Sequence, residues 1–178
     1  RLMDLIIKYF PAYGEGGNYA AYDENGEEIL LETNEKENLS AQVFKTIVDP
    51  FVGRISYVKV LSGVLGSDST VYNANKEKLE KISSVFIIKG KHQTAAGKLF
   101  TGDIGAVVKL QYTQTNDTLC DKARPVKAEP ISFDEPMYAQ AVFPKSKNDE
   151  DKLSSALQRM AEEDQTLHIV NNKETHQT

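Results

Sequence analysis

Asp103-Ile104-Gly105-Ala106-Val107-Val108-Lys109-Leu110 is the stretch on which the architecture turns. Ile104, Ala106, Val108 and Leu110 alternate toward one face, the period of two that marks a strand. Upstream, residues 41–48, 54–61, 69–72 and 81–88 have the same character, and downstream a short piece follows around Thr118-Leu119. Turn residues separate them: Asp49-Pro50, Gly53, Gly63, Gly66-Ser67-Asp68, Asn73 to Asn75, Gly90, Gly97, Gly102 and Asn116-Asp117. Short strands at this regular spacing, with no helical pattern between them, predict a closed or nearly closed β-barrel over residues 39–130. Residues 54–61 carry apolar side chains on both faces, as expected of a barrel that also packs against a neighbour.

The flanks read differently. Leu2, Leu5, Ile6 and Tyr9 share one helical face, and Pro11 ends the run. A helix this short is not stable alone in water, so it is expected to dock. Residues 14–38 form an acidic stretch rich in Gly, Glu and Asn, expected as a linker, with Asn25-Gly26 signalling a hairpin between residues 19 and 31. Beyond residue 130, a strand is expected over 137–143, closed by Pro144. Asn148 is placed to cap a helix with Asp149, Glu150 and Asp151 in its first turn. Its apolar stripe is Leu153, Ala156, Leu157, Met160 and Ala161, and a second strand is expected over 167–170. That β-α-β pattern is the first half of a ferredoxin-like unit. The fold class expected is mainly β with an α+β portion.

Charge follows the same division. The 178 residues carry a net −5, made of −6 over residues 1–38, +5 over 39–130 and −4 over 131–178. A basic barrel between acidic flanks suits a surface that faces nucleic acid. No run reaches the roughly 20 apolar residues of a membrane span, and no secretory signal opens the chain. A soluble, cytoplasmic protein is expected. Arg1 in place of Met, and an abrupt end at Thr178, are read as the ends of a fragment.

Catalytic chemistry is hard to find. Gly97-Lys98 ends like a phosphate-binding loop, but His92 stands where an earlier glycine belongs and Leu99 where Ser or Thr must reach magnesium. His92, His168 and His176 are scattered and do not combine with the lone Cys120 at metal-ligand spacing. Cys120 reads as a buried core residue. No catalytic residue and no metal site is assigned, and no activity is expected of this stretch alone.

Several motifs, taken together, resemble the translation elongation factor G family. Val48-Asp49-Pro50-Phe51-Val52-Gly53-Arg54 followed by Val60-Leu61-Ser62-Gly63-Val64-Leu65 is similar to the run that joins the first two strands of its second domain. Phe100-Thr101-Gly102-Asp103-Ile104-Gly105-Ala106-Val107 resembles its A-G-D-I-A-A-V strand, and Thr115-Asn116-Asp117-Thr118-Leu119-Cys120-Asp121 its T-G-D-T-L-C-D. Residues 157–164, Leu-Gln-Arg-Met-Ala-Glu-Glu-Asp, match the L-x-x-L-A-E-E-D of the third domain's first helix, and Glu174-Thr175-His176-Gln177-Thr178 resembles E-T-G-Q-T. Tyr9-Phe10-Pro11 looks like the end of the G domain. The departures are Gln165-Thr166-Leu167-His168 in place of P-T-F-R, His176 in place of Gly, and the unusual stretch 14–38.

The resemblance implies residues 1–13 as the last helix of the G domain, 39–130 as domain II and 131–178 as half of domain III. It implies a parent GTPase that binds the ribosome and moves tRNA and mRNA, with GTP and Mg in a G domain that this chain largely lacks. The implied partners are small-subunit rRNA and proteins, the G domain and the rest of domain III, with no membrane and a monomeric state. Residues expected to face RNA are Arg54, Lys59, Lys89, Lys91, His92 and Lys98, the last four on one long hairpin. Phe51 and Val52 are expected to pack against the G domain or close the barrel. A paralogue with a regulatory, recycling or ribosome-protection role, or a barrel serving only as an interaction module, stands as the alternative.

Overall fold

The computed structural model describes residues 1–11, 14, 15, 17–49, 51–90, 92–146 and 149–170, the side chains of Glu150 and Asp151 excepted. In chain order the elements are α1 (Leu2–Tyr9), β1 (Tyr19–Tyr22), β2 (Glu28–Leu31), β3 (Ser40–Asp49), β4 (Gly53–Ser62), β5 (Val64–Gly66) and β6 (Ser69–Asn73). They continue with β7 (Lys78–Ile82), β8 (Val85–Lys89), β9 (His92–Ala96), β10 (Lys98–Phe100), β11 (Ile104–Val108), β12 (Thr118–Cys120), β13 (Lys127–Ala128) and α2 (Glu150–Glu163). The chain is thus mostly β, with a helix toward its C-terminal end.

Eight strands form one sheet in the order β7-β6-β12-β3-β4-β11-β8-β9, antiparallel throughout. β7 at one end and β8 near the other are joined by only Ser83-Ser84, so the sheet must curl until its ends meet. The stretch expected as a single strand over 81–88 is therefore two strands, broken at the pair of serines. Ser67 fastens the seam: its N–H donates to Gly97 O (2.9 Å), its Oγ donates to Ala96 O (2.9 Å), and the Val85 N–H donates to its Oγ (3.2 Å). Inside the curl, Val43, Val58, Val60, Val71, Ile82, Val85, Val107 and Leu119 form one buried cluster, capped by Leu65 and Leu99 from the β5–β10 ribbon. This is the barrel.

The alternation expected over residues 104–110 holds through Val108 and is broken before Leu110. Ile104, Ala106 and Val108 share a face, but they lie opposite Lys59, Tyr57 and Ile55, on the outside of the sheet. Gly105 and Val107 point inward. A Cβ on Gly105 would lie 2.4 Å from Leu99 Cδ1, so the glycine makes room for Leu99 in the core. Lys109 then takes φ +62, and this kink returns Leu110 to the inner cluster. A strand apolar on both faces gives no clue to which face is inside.

The hairpin signalled by Asn25-Gly26 forms: β1 and β2 pair from Tyr19↔Leu31 to Tyr22↔Glu28, with Gly26 at φ +82. Asp23 Oδ1 accepts from Asn25 N (2.8 Å) and Glu27 N (2.9 Å) to close the turn. β1 also pairs with β13, Ala21 opposite Ala128, so residues from both sides of the barrel sequence make a small second sheet. Ala21, Leu31, Leu61, Ala74, Cys120, Val126 and Ala128 form a second core beneath it.

Two buried acids hold the loop after β11. Glu80 is 3% exposed and accepts from Gln111 N (3.1 Å), Tyr112 N (2.6 Å), Thr113 N (2.9 Å) and Thr113 Oγ1 (2.9 Å). Asp117 Oδ2 accepts from Asn73 Nδ2 (2.9 Å) and Gln114 N (2.8 Å). Protein donors stand in for water around both carboxylates, which is why their burial is tolerated.

The flanks depart most from expectation. None of the residues of α1 is buried, so its apolar face is left largely uncovered by the described residues. Of the expected β-α-β unit only α2 is formed. Residues 137–143 and 167–170 are not strands; 137–143 are exposed and neither stretch is paired in a ladder, and a strand exists only by pairing. The α2 cap position is held by Asp149, whose carboxylate accepts from Ser146 Oγ (2.6 Å) and Lys152 Nζ (3.3 Å); Asn148 lies outside the described residues. Leu153, Leu157 and Ala161 are half-buried, while Ala156 and Met160 face solvent.

Candidate nucleic-acid interface

Lys89 and His92 are the last cross-strand pair of the β8–β9 hairpin, with Gly90 between them at φ +58. Both are exposed; Lys91 lies outside the described residues. From residue 81 to 102 the sequence holds four lysines and no Asp or Glu. β9 is the edge of the eight-stranded sheet, and His92 to Ala95 are all exposed along it. Lys98, also exposed, is beyond the hairpin on β10, opposite Gly66. It therefore marks the base of the hairpin while Lys89 and His92 mark the tip, roughly 15 Å away at strand spacing.

The other two cations are elsewhere. Lys59 faces outward from β4, with its Nζ 4.9 Å from the centre of the Tyr19 ring. Arg54, at the start of the same strand, has the opposite parity and so points to the other face. Its Nη2 lies 2.9 Å from Glu162 Oε1, and its Nη1 donates to Gln111 O at 3.4 Å. Of the five described cations, Lys89 and His92 are thus at the hairpin tip, Lys98 is beyond its base, Lys59 is stacked on the N-terminal hairpin, and Arg54 is bound to α2.

The β3–β4 hairpin carries Phe51 and Val52 at its tip. Asp49 Oδ1 accepts from the N–H groups of both, each at 2.8 Å, and Gly53 closes the turn at φ +86. Phe51 is 95% exposed, so within this chain it does not close the barrel, while Val52 is half-buried. Farther down the hairpin, Glu163 Oε1 accepts from the Val48 N–H. Between hairpin and helix is a groove of about 430 Å³ lined by Val48, Arg54, Ser155, Gln158, Arg159 and Glu162. Arg159 escaped the sequence reading because it stands in the helix motif, and only the docking of α2 brings it beside Arg54.

A second cleft, of about 310 Å³, lies under the N-terminal hairpin, and Asp23, Glu24, Glu77, Tyr22 and Tyr72 line it. Its carboxylates repel phosphate. Burial raises the Tyr72 phenol above its ordinary value, helped by Glu77 and Glu24. Burial likewise pushes the Cys120 thiol up, and its Sγ donates to Tyr72 O at 3.4 Å, the opposite of an activated nucleophile. Among the described residues, no group of three or more His, Cys, Asp or Glu is placed to hold a metal ion. No helix among them is long and apolar enough to cross a membrane.

Residues 38–122 match the family described as Elongation factor G domain 2, and residues 133–178 match Elongation Factor G, domain III. The chain is 38% identical over 179 aligned positions to elongation factor G of Chlamydia trachomatis serovar D, covering all of this chain and 26% of that protein. The serovar A protein gives the same figures. The chain therefore spans about a quarter of the length of these curated relatives. A crystal structure of a Thermus thermophilus protein superposes with a TM-score of 0.76 at 23% identity, over 99% of this chain and 24% of that one.

Proposed function

Because this chain belongs to the elongation factor G family, we propose that it is the ribosome-facing, non-catalytic portion of a translational GTPase. In this reading residues 1–13 end a G domain, 14–38 link it to a domain II barrel over 39–130, and 131–178 begin domain III. GTP and Mg bind the G domain of the intact protein, which acts in the cytoplasm as a monomer and promotes movement of tRNA and mRNA. Phe51 and Val52 pack against that G domain, and the exposed apolar residues of α1 support a missing neighbour at the other end of the chain.

One observation carries the ribosomal contact: within the stretch 81–102, free of acidic residues, β8 and β9 form a hairpin at the sheet edge with exposed Lys89 and His92 at its tip. In an acidic chain such a patch is an electrostatic footprint for phosphate. We assign it to small-subunit rRNA. Replacing Lys89, Lys91 and Lys98 together by Ala in the full-length protein should weaken ribosome association and flatten its dependence on salt. Unchanged affinity across salt would remove the assignment.

A second reading, a paralogue with a regulatory or recycling role, draws on one departure from the family motif. Gln165 stands where the family pattern has Pro, and its Nε2 donates to Ala161 O (3.3 Å) and Glu162 O (3.4 Å), closing the end of α2. Ribosome-stimulated GTP hydrolysis by the full-length protein, with and without a pre-translocation complex, separates the two. Stimulation with translocation supports the first reading; ribosome binding with neither supports the second.

A further inference from the structure

Ser155, Gln158, Arg159 and Glu162 follow the i, i+3, i+4, i+7 spacing that puts four side chains on one helical face, and here that face is turned to the barrel. Helix faces that dock on a barrel are ordinarily apolar. This one presents a hydroxyl, an amide and a guanidinium to an open groove whose opposite wall is Arg54. Among the described residues, Arg54 engages two of its five N–H donors, on Glu162 and Gln111 O. Arg159 is exposed and makes no ion pair among the described residues.

We propose that the groove between the β3–β4 hairpin and α2 seats a phosphodiester of an RNA backbone. Arg159 and Gln158 bind it from the helix and Arg54 from the hairpin. Planar guanidinium groups match two oxygens of a phosphate at once, a stronger contact than a single partly exposed ion pair. Glu162 is the occupant in the absence of RNA: it keeps Arg54 extended into the groove and gives way when phosphate arrives. The site extends the RNA-facing reading of the barrel from its edge hairpin to the junction with α2, and it rests on that reading.

The test is fluorescence anisotropy of the full 178-residue chain with a labelled short RNA duplex across a chloride series, alongside inorganic phosphate followed by NMR. Circular dichroism confirms that each variant is folded. Arg159→Gln, an exposed position, should weaken RNA binding several-fold and lower the slope of log affinity against log salt by about one. Glu162→Gln should strengthen binding, since it removes the competing charge without removing a donor. A Lys89→Ala/Lys98→Ala pair tests the hairpin separately. If that pair weakens binding while Arg159→Gln does not, the groove is not a phosphate seat and the hairpin assignment stands. If neither changes affinity, both fall. Should inorganic phosphate shift the Arg159 side-chain resonance while RNA binding ignores Arg159→Gln, the groove takes free phosphate and the RNA assignment is overturned.

Discussion

Arg54 Nη2 and Glu162 Oε1, 2.9 Å apart, join the first turn of the barrel's longest hairpin to the last turn of a helix more than a hundred residues later. The two side chains are 23% and 22% exposed, so the pair is partly screened by solvent. Its neighbour Glu163 engages the Val48 N–H, and the two adjacent acids grip one hairpin. A double-mutant cycle on Arg54→Ala and Glu162→Ala should give a coupling of about 0.5–1 kcal/mol, falling with added salt. Coupling indistinguishable from zero at low salt would show that the two side chains do not hold α2 in place.

Glu80 should be among the most sensitive positions in the barrel. Glu80→Gln replaces an acceptor of four hydrogen bonds with a group that has one oxygen and two unwanted donors. The expected loss is about 2–3 kcal/mol, which for a chain of this size lowers Tm by roughly 4–12 °C. Thermal unfolding followed by circular dichroism reads it directly, and a shift under about 2 °C would contradict the role given to the carboxylate.

Gly105→Ala asks for space that Leu99 already occupies, with Leu99 Cδ1 at 2.4 Å, Cδ2 at 2.8 Å and the Phe86 carbonyl oxygen at 2.9 Å from the new Cβ. Overpacking of this kind costs about 1–3 kcal/mol. The double variant Gly105→Ala/Leu99→Val should recover part of the loss in urea unfolding, because the shorter side chain vacates the contact. No recovery would mean that the backbone contact, not Leu99, sets the cost.

Cys120 supplies a pH dependence on the alkaline side. Burial holds its thiol pKa above the ordinary value, so the folded state keeps the proton longer than the unfolded state. The stability this represents is complete below the unfolded pKa of about 8.5 and is lost as pH rises from there toward the folded value. Iodoacetamide should therefore label the native chain slowly at about pH 8 and the urea-unfolded chain fast. Equal rates in the two states would place the thiol at the surface.

Much of the barrel was legible because its strands are short and its turns are chemically marked. Asp49, Gly53 and Gly63 punctuate β3, β4 and β5 where turn chemistry places them. The inside of β11 was not legible, since Ile104, Ala106 and Val108 are as apolar as the residues that alternate with them. Only the fit of Gly105 over Leu99 settles the phase. The 137–143 and 167–170 stretches have the composition of strands, but pairing is a property of two segments and composition describes one. Lys89 and His92 could be placed together from the turn at Gly90 alone. The meeting of Arg54 with Arg159 could not, because it depends on where a helix docks.

The small sheet β13-β1-β2 sets an order of events for a chain made from its N-terminus. Ala21 pairs locally with Ile29, but its second neighbour, Ala128, and the pairing of Ser40 with Cys120 each lie across most of the barrel sequence. The hairpins β3–β4, β6–β7 and β8–β9 close within themselves through short loops. At the ribosome's exit these three can form as they emerge, while β12, the strand that joins two of them, is still to be synthesised. Until then Leu39 and Val43 lack their cover, and Leu31 waits longer still. The nascent chain thus carries an apolar, half-built sheet through most of the barrel's synthesis. The acidic residues of 14–38, synthesised ahead of the barrel, add like charge beside that surface, which disfavours association between such chains.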